Sequence, residues 1–200
     1  MNPPQTFDQA IALIDAANAA DPNRETADGR AWPKELLYSR RMSDMLQRYA
    51  PEADEAMKLA VRAQHVRRWT SPRDTYPMDR DGYLQWRKDL YKFHADTAAA
   101  LLAEAGCGDE LIERVKKAVG KRALKKNPDT QLLEDVTALV FLEHYLEDFA
   151  ARHPEYDEEK WRGIIRKTWE KMSKQAHAFA LSGAVRLPAP LVPLIRRSIE

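Results

Sequence analysis

Three residues of this chain have side chains able to do chemistry inside strongly apolar, helix-patterned segments: His65, His94 and Asp135. His65 lies in Arg62-Ala63-Gln64-His65-Val66-Arg67-Arg68-Trp69, His94 between Phe93 and Ala95, and Asp135 after Glu134 at the head of the most apolar run. An imidazole or carboxylate in such a place is costly unless hydrogen-bonded, ion-paired or metal-bound. Two imidazoles and a carboxylate from three separate helices make a set that suits a divalent ion. The competing reading is two core histidines on backbone carbonyls and an aspartate paired with an arginine.

A second cluster is basic and aromatic. Arg62, Arg67, Arg68, Arg73, Arg80 and Arg87 are interleaved with Trp69, Tyr76, Tyr83 and Trp86. Guanidinium forks match phosphate oxygens, and aromatic walls would take a base or sugar. The alternative is a solvated face neutralised by Asp74, Asp79, Asp81 and Asp89. Adjacent helical residues point about 100° apart, so of Arg67 and Arg68 one is expected to enter the site and the other to pair with a carboxylate. Glu143 and Glu147 lack the Glu-x-x-His pattern of a di-iron site. His144, His153 and His177 read as surface or loop histidines.

The elements that must position these groups are helical. Two hundred residues with a 44% apolar fraction suit one domain with a sizeable core. Lys plus Arg is 32 against 31 for Asp plus Glu, a net charge of +1, which gives no global drive toward nucleic acid or membrane. Cys107 is the one cysteine, which excludes a disulfide framework. The N-terminus lacks the pattern of a signal peptide and no apolar run reaches membrane-spanning length, so a cytoplasmic protein is expected. Apolar periodicity predicts helices from Thr6, over Pro33–Tyr49, from Pro51 through His65, over Asp81–Ala105, from Asp109 through Val119, over Thr130–Arg152 and from Asp157 through Met172. Ala17–Gly29 and Trp69–Asp79 read as connections, and the tail from Leu187 as Pro-rich. With no alternating strand pattern, the expectation is one all-α domain over 1–200, its core about 30–182.

Several blocks carry a family resemblance: Pro33-Lys34-Glu35-Leu36-Leu37-Tyr38-Ser39-Arg40-Arg41-Met42, the Arg62–Trp69 run, Tyr76–Arg87, Gln131–Val136, Val140–Glu143 and Arg166–Ser173. On these the chain is identified as a member of the family catalogued as domain of unknown function 4202, which brings no established activity. More distantly it resembles the HD superfamily of metal-dependent phosphohydrolases. That resemblance implies an all-α bundle holding a divalent metal, with His65 at the doublet histidine, His94 at an additional histidine and Asp135 at the final aspartate. Val66 stands where the doublet's carboxylate belongs, and Tyr38 or Glu35 where a first histidine belongs. It implies Mn, Fe, Ni or Zn at His65, His94 and Asp135. A metal-bound water would attack a phosphorylated small molecule or nucleotide held by Arg67, Arg68, Arg73, Arg80 and Glu134. The alternatives are a phosphate- or nucleotide-binding module without catalysis and a protein-interaction module.

Overall fold

The computed structural model describes residues 3–199, with side chains from residue 5. The described residues form ten α-helices and one two-stranded hairpin, an all-α fold. They gather into two compact units, Met1–Leu133 and Glu134–Glu200. No helix among them is long and apolar enough to cross a membrane.

The first unit opens with α1 (Pro3–Ala19) and continues with β1 (Arg24–Ala27) and β2 (Arg30–Pro33). The hairpin replaces part of the connection expected over Ala17–Gly29, and Asp28-Gly29, with φ angles of 50° and 72°, fits the two-residue turn that joins antiparallel strands. Four helices follow: α2 (Lys34–Tyr49), α3 (Glu55–Ala63), α4 (Arg80–Glu104) and α5 (Asp109–Val119). Asp54 and Asp79 cap α3 and α4 by accepting from the N–H groups of Met57 and Gly82. Helix α2 starts after Pro33, which has no capping side chain. The distant Asp21 serves instead, accepting from the N–H of Glu35 at 3.0 Å and from Asn23 N and Nδ2 at 2.9 Å each. The core is Ile14, Met42, Met45, Leu59, Leu90 and Leu102, all fully buried.

The boundary between the units falls within α6 (Pro128–Val140). A π-helical turn, Phe141–Tyr145, joins α6 to α7 (Leu146–Ala151). Helices α8 (Glu158–Lys171), α9 (Lys174–Leu181) and α10 (Val192–Ile199) complete the second unit, with Leu139, Leu142, Leu146, Ile165 and Ile195 buried. Helices α8 and α10 pack together, and the Arg162 guanidinium donates to the Arg197 carbonyl.

Candidate functional site

Helix α3 stops at Ala63, so His65 sits in the turn beyond the helix rather than on it. The chain reverses at Arg67, whose φ of 54° is left-handed and whose N–H is accepted by the buried Asn18 side chain at 3.3 Å. That reversal sends Arg67 to the surface and leaves Arg68 half-buried. The two arginines thus part through a backbone kink and not through helical phase.

His65 meets two residues from the first turns of α2. Its ring stacks on Tyr38, with centroids 4.2 Å apart and planes 12° from parallel. Its Nδ1 is 3.5 Å from Oε2 of Glu35. His94, from the middle of α4, approaches from the other element, its ring centroid 5.6 Å from that of His65. The Val66 carbonyl, 3.1 Å from His94 Nδ1, is an acceptor only. Nδ1 therefore carries the proton and donates it, which leaves Nε2 as a bare lone pair. That nitrogen is buried and takes no hydrogen bond among the described residues.

The electrostatics follow from burial in a basic setting. Glu35 is 6% exposed, and burial pushes its carboxyl up to about 7 against the pull of Arg68 and Lys34. His94 is lowered to about 3 by burial first and then by His65. His65 is held well below the usual histidine value by burial, then by the charges of Arg68, Lys121, Arg87 and Lys34. Both imidazoles are therefore neutral at pH 7, and Glu35 is poised between its two protonation states.

Arg68 lies over the indole of Trp86 at 5.1 Å. Among the described residues its guanidinium takes no ion pair or hydrogen bond, and burial lowers its pKa from the usual arginine value against the opposing charge of Glu35. Trp86 is fixed in turn, donating from Nε1 to the Ser71 carbonyl at 3.0 Å.

The other residues expected at a site do different work. The Arg73 guanidinium donates to the carbonyls of Tyr76, Pro77 and Asp79 and so shapes the connection before α4. Arg80 is exposed at the start of α4. Glu134 and Asp135 belong to the second unit, where Glu134 faces Lys171 at 3.9 Å. Asp135, 2% exposed, accepts from the N–H of Ser173, the cap residue of α9, at 2.7 Å.

The first unit thus brings His65 together with His94, Glu35 and Tyr38. Among the described residues no three His, Cys, Asp or Glu side chains are grouped so as to hold one metal ion. His94 Nδ1 is engaged by a carbonyl and His65 Nδ1 faces Glu35.

The family model for DUF4202, a domain of unknown function, matches residues 8–195. The chain belongs to the DUF4202 family. No curated protein and no solved structure matches it. The positions that this family member gathers in its first unit therefore stand on their own geometry.

Proposed function

We propose that the first unit binds a phosphorylated small molecule or nucleotide and hydrolyses its phosphate ester by proton transfer through Glu35 and His65. The observation that carries this reading is the Arg68 guanidinium, half-buried over Trp86, without an ion pair among the described residues and within the electrostatic reach of Glu35 and His65. A guanidinium so placed receives a phosphate through a bidentate fork.

In the active form, ionised Glu35 accepts a hydrogen bond from the Nδ1–H of His65, which keeps its proton and leaves His65 Nε2 as the base. Water attacks phosphorus as Nε2 takes its proton, the bond from phosphorus to the ester oxygen breaks, and the imidazolium returns the proton to the departing oxygen. An alcohol and inorganic phosphate result. The cations that depress His65 in the free protein are offset when a dianion binds, so ligand binding raises the basicity of His65. Charge developing on phosphorus is met by Arg68.

The test is a thermal-shift and phosphate-release screen over sugar phosphates, nucleoside monophosphates and an aryl phosphate, with Arg68→Gln and Glu35→Gln. Stabilisation lost in Arg68→Gln and release lost in Glu35→Gln support the proposal. Stabilisation without release in the parent protein leaves the non-catalytic binding module. No stabilisation by any phosphate sinks both. Elemental analysis of protein purified without chelator tests the Mn, Fe, Ni or Zn expectation separately.

A further inference from the structure

We propose that the surface formed by the hairpin and α2 around Trp32 docks an acidic polypeptide segment of a partner protein, whose carboxylates are received by Arg30 and Arg40. The inference does not depend on the phosphate-site reading above.

Trp32 is half-buried on β2, where it stands opposite Glu25 of β1. Two guanidiniums lie over its indole, that of Arg30 at 4.2 Å from the ring centre and that of Arg40 at 4.6 Å. The first comes from the same strand and the second from α2, so the pair spans the junction of hairpin and helix. Glu25 and Arg41 pair across the same junction and hold it together.

Sharing one ring, the two like charges are held no more than about 9 Å apart and repel each other. Stacking engages the flat face of a guanidinium and leaves its N–H fork open to an acceptor. Among the described residues neither Arg30 nor Arg40 has an ion pair or a hydrogen bond, and both are exposed. An anionic segment laid across the two forks relieves the repulsion and gains charge-assisted hydrogen bonds from each.

The surrounding charge is mostly of one sign. Arg24 and Lys34 are exposed at the base of the hairpin. Of the carboxylates between Arg24 and Arg41, Glu25 is taken by Arg41, Glu35 is buried, and Asp28 is exposed at the turn. Four exposed cations against one exposed carboxylate is a local concentration in a chain whose net charge is +1. Alternate residues of an extended chain share a face at about 7 Å spacing, which suits two neighbouring forks. A nucleic acid is the poorer match. The indole already carries two guanidiniums where a base would stack, and four cations make no track along a phosphate backbone.

The experiment titrates the 15N-labelled full chain with hexaglutamate, with hexaserine and with a hexathymidylate oligonucleotide. The readout is the Trp32 indole N–H signal, identified by its loss in Trp32→Phe. Hexaglutamate is expected to move that signal to saturation and hexaserine to leave it in place. Affinity should fall at least about fivefold in Arg30→Gln and in Arg40→Gln, with melting temperatures near the parent's. Arg40→Lys keeps the charge but not the fork, and should lose a comparable amount. A signal unmoved by hexaglutamate, an affinity that survives both Gln substitutions, or full binding by Arg40→Lys overturns the proposal. An oligonucleotide that binds more tightly than hexaglutamate through the same two arginines overturns it in favour of a nucleic acid.

Discussion

His94 joins α4 to the turn after α3 through a single hydrogen bond, donated by its Nδ1 to the carbonyl of Val66, 28 positions earlier, at 3.1 Å. The same bond leaves Nε2 a bare acceptor in a buried place, and the two nitrogens separate structure from function. In His94→Asn the amide nitrogen takes the place of Nδ1 and keeps the bond. The expected outcome is a folded protein with a melting temperature near the parent's. His94→Leu strands the Val66 carbonyl and should cost about 1–3 kcal/mol in denaturant unfolding. An Asn variant as unstable as the Leu variant would show that the packing of the ring, not this bond, is what the position needs.

Stability should pass through a maximum near pH 6.5. Both imidazoles have lowered values in the fold, so below their unfolded value near 6.5 the unfolded chain binds more protons, and stability rises with pH up to that point. Glu35 acts in the opposite sense. Its folded value of about 7 lies above the unfolded 4.5, so stability is lost as pH climbs through this window and stays lost above it. Glu35→Gln removes that loss and should stabilise the protein at pH 8 by on the order of 2–3 kcal/mol while having little effect at pH 4.5. Unfolding midpoints of the two proteins across pH 4.5–8 give the check. Parallel curves would mean that Glu35 is not held near 7.

Much of the fold was legible from the sequence because capping and periodicity are local. Asp157 caps α8 as expected, and α5 runs over the predicted residues. The third helix begins later than Pro51 suggests, because Asp54 supplies the cap, and it ends before His65. The hairpin was missed because Arg24-Glu25-Thr26-Ala27 is not alternating, although Asp28-Gly29 signalled its turn. Within the candidate site, His65 and His94 were legible as polar residues in apolar runs, and Arg68 as a member of the basic and aromatic cluster. Glu35 was not, because a glutamate in a first helical turn ordinarily complements the helix dipole at the surface. Its neighbours in the fold, Asp21 at its backbone N–H and His65 at its carboxyl, are both distant from it in sequence. The turn at 120–126 was illegible for a different reason, since Lys121, Ala123 and Lys125 stand where a left-handed backbone would call for glycine.

Asp135 has a structural task within the second unit whatever else it does. It holds the N–H of Ser173 at 2.7 Å, and Ser173 in turn caps α9 by accepting from the Ala176 N–H at 3.1 Å. Asp135→Ala leaves that backbone donor without its acceptor and should destabilise by about 1–3 kcal/mol. Asp135→Asn keeps an acceptor oxygen and should cost less. Chemical denaturation followed by far-ultraviolet circular dichroism ranks the three proteins, and an Asn variant as unstable as the Ala variant would show that the charge, not the hydrogen bond, is what the site needs.

Gly82 decides whether the connection ahead of α4 can hold Trp86 and Arg68 in place. A Cβ there would lie 2.1 Å from the Pro77 carbonyl oxygen and 2.8 Å from its carbon, a contact with rigid backbone. Helix propensity alone favours Gly82→Ala by about 1 kcal/mol. The overlap outweighs it, because relief requires the Pro77 segment to move. That segment is tied down by Arg73 donating to Tyr76, Pro77 and Asp79, and by Asp79 accepting from the Gly82 N–H at 2.7 Å. The expected result is a net loss of about 1–3 kcal/mol, in the range of overpacked sites. Phosphate binding should fall as well, since the connection also carries Ser71, whose carbonyl anchors the indole under Arg68. Thermal unfolding and phosphate titration of Gly82→Ala measure the two effects. A stabilised variant would show that the connection yields freely and does not set the position of Arg68.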